Sequence, residues 1–76
     1  MPRKIFYFDV TKDGSVRSRF EVPFVFDDEA IQHSKGLAAR IRMHAPTEPG
    51  LVISVLDQSG KQLHQECVYP KGEVRS

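Results

Sequence analysis

The chain has 76 residues, with 11 basic and 10 acidic side chains and a formal net charge of +1. So short a chain makes one domain with a stability margin of roughly 3–5 kcal/mol, and its balanced charge does not predict a polyanionic partner. A single cysteine rules out an internal disulfide and suits a reducing compartment, while no stretch approaches the ~18 apolar residues of a membrane span.

The start, Met1-Pro2-Arg3-Lys4, lacks the apolar stretch of a secretory signal, so a cytoplasmic location is the expectation. The first strand begins at Lys4 and runs through Ile5-Phe6-Tyr7-Phe8-Asp9-Val10. Alternation sets Phe6, Phe8 and Val10 on one face and Ile5, Tyr7 and Asp9 on the other. Thr11-Lys12-Asp13-Gly14 follows, and an Asp-Gly pair between apolar runs signals a tight hairpin. The return strand, Ser15–Val22, sets Val16, Phe20 and Val22 against Arg17, Arg19 and Glu21, and Pro23 is expected to end it.

Asp27 reads as a helix N-cap, with Phe26 and Ile31 placed for a hydrophobic staple and Asp28 and Glu29 favouring the positive end of the dipole. Ala30, Ile31, Ser34, Leu37, Ala38, Ile41 and Ala45 recur at helical spacing. Pro46 disfavours helical geometry at Ala45, so the spacing predicts a helix from about Asp28 to His44. Beyond a Thr47–Gly50 loop, Leu51–Asp57 is almost wholly apolar and reads as a central strand covered on both faces. Asp57-Gln58-Ser59-Gly60 is a turn. The last strand, Lys61–Val68, places Leu63, Gln65 and Cys67 on one face and His64, Glu66 and Val68 on the other. Neither face is clearly apolar, which suits an edge strand or one with a bulge. Residues 1–69 form the domain, and residues 70–76 read as a polar, frayed tail.

Met1-Pro2-Arg3, the aromatic first strand, Asp27-Asp28-Glu29-Ala30 and Val55-Leu56-Asp57-Gln58-Ser59-Gly60 together resemble a family of short alphaproteobacterial proteins. Its members begin M-P-R-[YF]-F-F, continue through a D-x-x-G and an acidic helix start, and finish with V-x-D-x-x-G. The resemblance spans nearly the whole chain. Lys4 stands where the family carries an aromatic, and Arg19-Phe20-Glu21-Val22 lacks the glycine of the D-x-x-G element. The family is one of unknown function, so the resemblance implies the element order and no activity.

No residues form a catalytic, cofactor-binding or metal-binding signature. His33 and His44 are eleven positions apart, about 16 Å along a helix, and cannot share one ion. His64 and Cys67, three apart on a strand, point to opposite faces. A buried or semi-buried structural cysteine is a plainer reading than a nucleophile paired with His44. Helix capping accounts for Asp27, Asp28 and Glu29 without a catalytic role. No small-molecule substrate is expected.

The expected architecture is α+β: ββαββ, a four-stranded, mainly antiparallel sheet with one helix on one face. Phe6, Phe8, Val16, Phe20, Leu51, Ile53, Val55 and Leu63 are then expected to meet the helix. That leaves Ile5, Tyr7, Val52, Leu56 and Val68 on the open face, a surplus best covered by a second copy in a homodimer. The helix offers another small-residue face in Gln32, Gly36, Ala39 and Met43, and a sheet edge is a third place for the dimer to form. Binding of single-stranded nucleic acid by Tyr7, Arg17 and Arg19 is the alternative, disfavoured by the acidic residues Asp9, Glu21 and Glu66 on the same face.

Overall fold

The computed structural model describes residues 2–45 and 47–69. Its elements are β1 (Lys4–Lys12), β2 (Ser15–Phe24), α1 (Asp27–His44), β3 (Leu51–Leu56) and β4 (Gln62–Cys67). All neighbouring strands are antiparallel, in the order β2-β1-β3-β4. The fold is therefore the α+β, ββαββ arrangement expected. The two hairpins join through β1 and β3, the strands richest in apolar and β-branched residues. The tail expected to fray, residues 70–76, lies outside the described residues.

The first turn takes both central residues into the left-handed region, Asp13 at φ +50° and Gly14 at φ +87°, between paired Lys12 and Ser15. That is the type I′ geometry an Asp-Gly loop favours. Farther along, Val10 pairs with Ser18 but Thr11 with Val16, so Arg17 is an extra residue in a β-bulge. The bulge corrects one expectation. Val16 does not meet the helix; it lies opposite Thr11 and is 57% exposed.

Pro23 does not end β2, which continues to Phe24 with Pro23 opposite Ile5. The reason lies in strand order. Ile5 donates its backbone N–H away from β2, to Gln58 Oε1 at 3.1 Å. In an antiparallel ladder this makes Ile5 and Pro23 a pair without mutual hydrogen bonds, so the missing N–H of Pro23 faces the free edge at no cost.

The helix begins one residue earlier than its sequence signals suggest. Phe26, in extended geometry, is the N-cap, and Asp27 is the first helical residue. Glu29 reaches back to accept from the N–H groups of Val25 and Phe26, both at 3.0 Å, while its own N–H bonds Phe26 O at 3.1 Å, so Asp27 does not cap the first turn as expected. Asp27 instead pairs with Lys4 across 3.2 Å. Ala45 closes the helix in extended geometry, donating to Ile41 O at 2.9 Å.

Phe6, Phe8, Val10, Leu51, Ile53 and Val55 build the sheet side of the core, and Ala30, Ser34 and Ala38 bring α1 close to it. The small helix residues permit that approach. Ser34 satisfies its buried hydroxyl on Ile31 O at 2.6 Å. In β4 the register slips at Leu63, so His64 and Glu66 face the helix side opposite Val55 and Ile53. Val68 follows them inward. Expected on the open face, it is instead fully buried in the core, donating to Leu51 O at 3.1 Å and accepting from Arg42 Nη1 at 2.9 Å. Bulged Leu63 keeps partial contact with the core.

Candidate interaction surface

On the sheet face away from α1, β1 and β2 place Asp9 directly opposite Arg19. The two form a bidentate pair, with Arg19 Nε donating to Asp9 Oδ1 at 2.6 Å and Nη2 to Oδ2 at 2.8 Å. Asp9 is buried, while the Arg19 side chain is about half exposed. The same guanidinium lies 5.4 Å over the ring of Tyr7, a cation–π contact. Asp9 holds the Arg19 pKa above its ordinary value, first through the hydrogen bond and then through its charge.

This pair changes the character of the face. Ile5, Tyr7, Val52 and Leu56 lie on it as expected, but each is partly buried, and the Asp9–Arg19 pair sits among them. Of the large apolar side chains most exposed to solvent, Val16 lies at the bulged end of this face, whereas Phe20 on β2, Phe26 at the helix entrance and Met43 on α1 lie elsewhere. Phe20 is 47% exposed even though it lies on the helix side opposite Phe8. Helix α1 packs chiefly against β3 and β4, which leaves the middle of β2 uncovered.

The residues considered for nucleic-acid contact are only partly brought together. Tyr7 and Arg19 touch, but Arg17 occupies the bulge and pairs with Glu48 at 3.1 Å. Both guanidiniums therefore already face a carboxylate. On β4, Cys67 is exposed rather than buried or semi-buried and lies opposite Val52, whereas His64 lies opposite Val55 and bonds Glu66 at 2.8 Å. The two are on opposite sides, as their spacing implied. Among the described residues, no group of three or more His, Cys, Asp or Glu side chains is placed to hold a metal ion, and no helix is long and apolar enough to cross a membrane.

A shallow hollow lies where Lys4, Asp27, Asp57, Gln58 and Ser59 meet. Asp57 Oδ1 accepts from Ser59 N, Ser59 Oγ and Lys61 N at 2.7–2.9 Å, bonds that depress its pKa and shape the turn. Gln58 serves Ile5, and Asp27 serves Lys4. The polar groups lining the hollow thus have structural partners. On the outer face of α1, Gln32, Gly36 and Met43 are exposed and Ala39 is partly buried, with open space where a Cβ at Gly36 would stand.

His33 is the helix residue that reaches the aromatic end of the core. Its ring lies 5.0 Å from Phe8 and 5.4 Å from Phe24. Burial, and then the charge of Arg40, lowers its pKa. The folded state therefore binds this proton less readily than the unfolded chain, whose imidazole titrates near pH ~6.5. The His33 contribution should be constant above that pH and fall as pH drops from ~6.5 towards the lower folded value. Thermal melts across pH 5 to 8 should show this component in the native chain and lose it in His33→Phe, which keeps the ring contacts.

Sequence reasoning missed two features here. The Asp9–Arg19 pair depends on the bulge, since an unbroken register from the Lys12–Ser15 turn would set Asp9 against Ser18. The exposure of Phe20 depends on strand order, for which the sequence carries no local signal. Comparison with family models, curated proteins and solved structures finds nothing that matches this chain.

Proposed function

We propose that this chain is a small, non-enzymatic interaction module that works as a homodimer. The observation that supports this reading is the outer strand β2. It runs from Ser15 to Phe24 along an open sheet edge, with Phe20 47% and Val16 57% exposed. An edge strand carries a row of unpaired backbone groups and is a ready template for another chain. Apolar side chains beside that row add surface that association would remove from water. A domain of this size, without disulfides, also gains from assembly the stability its own small core does not supply.

Light scattering coupled to size exclusion, at tens of micromolar chain, tests the reading. A particle of twice the chain mass is the expected result. A monomer at that concentration overturns it.

A further inference from the structure

We infer that β2 of one copy pairs antiparallel with β2 of a second about a two-fold axis at Phe20, joining two four-stranded sheets into one of eight. This rests on the homodimeric reading above and names its interface.

The free edge can be read residue by residue. Because Ile5 turns its N–H away from β2, the pairs Ile5–Pro23, Tyr7–Glu21 and Asp9–Arg19 do not exchange hydrogen bonds. Arg19 and Glu21 therefore direct their own N–H and C=O outward, to the open edge. The usable stretch is bounded at both ends. The bulge at Arg17 breaks the strand on one side, and Pro23, without an N–H, stops the ladder on the other. Ser18–Val22 remains between these stops, and Phe20 is its centre.

Charge then selects among the registers that match outward groups. Centring the axis on Arg19 would set Arg19 against its own copy, and centring it on Glu21 would do the same for the carboxylates. Like charges directly opposite are destabilising. Centring on Phe20 instead sets Arg19 against the partner's Glu21 and Glu21 against the partner's Arg19, both on the helix-free face. The two arguments are independent and choose the same axis.

The side chains follow suit. On the helix side, Val55, Phe8 and Phe20 form one row across three strands. The pairing extends it through the partner's Phe20 and Phe8, covering the aromatic that α1 leaves open. On the other side, the row Ser54, Asp9, Arg19 continues into the partner's Glu21, so the charges alternate in sign. The contact is isologous and closes, leaving the two β4 edges outermost.

The test uses the full chain with Cys67→Ser as background. A pair without mutual hydrogen bonds brings Cα atoms to about 4.5 Å, within the range a disulfide spans. Phe20→Cys should therefore cross-link to a dimer under mild oxidation, whereas Ser18→Cys alone should not. Ser18→Cys mixed with Val22→Cys should cross-link as a heterodimer. Glu21→Lys replaces two opposite-charge contacts with two like-charge ones and should raise the dimer dissociation constant on the order of tenfold, with an unchanged circular dichroism spectrum. A dimer by light scattering whose Phe20→Cys form links no better than Ser18→Cys, or whose Glu21→Lys form dissociates no more readily, overturns this pairing and leaves the homodimer standing. A monomer overturns both.

Discussion

Val68→Asp is expected to abolish the native fold. The valine is fully buried among the core residues, with its backbone bound to Leu51 and Arg42. A carboxylate placed there would sit among apolar core side chains while Arg42 stays bound to the backbone carbonyl, and burying a poorly paired charge costs several kcal/mol. That exceeds the margin of roughly 3–5 kcal/mol available to a domain of this size. Far-UV circular dichroism should show no cooperative melt, and amide NMR dispersion should collapse. Cys67→Ser, one residue earlier but exposed, should melt within about 0.5 kcal/mol of the native chain. A Val68→Asp chain that melts like the parent would show that β4 does not turn this residue inward. The contrast between adjacent positions is the sharpest check on how β4 is seated.

Phe8→Ala should be nearly as damaging. Phe8 is fully buried and packs edge-on against Phe24 and His33, tying β1 to both β2 and α1. Removing a buried phenylalanine costs about 3–5 kcal/mol in lost transfer energy and residual cavity, comparable to the whole margin. Urea titration should find the variant largely unfolded without denaturant, or with a midpoint close to zero. A loss below about 1 kcal/mol would mean the aromatic cluster is not the centre of the core. Phe20, its cross-strand neighbour on the same side, is the useful contrast because it is about half exposed. Phe20→Ala should leave each copy folded. Residues on one sheet face thus divide into those that hold the chain together and one available for association.

The bulge at Arg17 illustrates how much of the fold was legible and in what form. Apolar residues occupy even positions in both strands of the first hairpin: Phe6, Phe8 and Val10, then Phe20 and Val22. A two-residue loop between Lys12 and Ser15 pairs even positions with odd ones. Both facts hold only if one extra residue enters a strand. The need for a bulge was implicit in the alternation, but its position was not, since either strand could have absorbed it. Its placement at Arg17 moves Val16 out of the core side and brings Arg19 opposite Asp9. The candidate surface owes its central ion pair to that one-residue shift.

Val68 shows the complementary limit. Grouping His64, Glu66 and Val68 on one face of β4 was sound, because alternation is a local property of the backbone. Alternation does not say which of the two faces meets the helix, and Leu63 on the other face is the more apolar candidate. The slip at Leu63 and the docking of Arg42 onto Val68 O settle the matter through contacts far apart in the chain.

Local chemistry alone therefore determined the element order, the Asp13-Gly14 turn, the helix limits to within a residue and the central character of β3. Each follows from neighbouring side chains acting on their own backbone. Only the tertiary structure decided the strand order, the seating of β4 and the skew of α1 towards β3 and β4. Those depend on which surfaces meet, and a surface is made by residues that the sequence keeps apart. The exposed centre of β2 is a consequence of that skew, and so is Phe20 as the residue around which a second copy would turn.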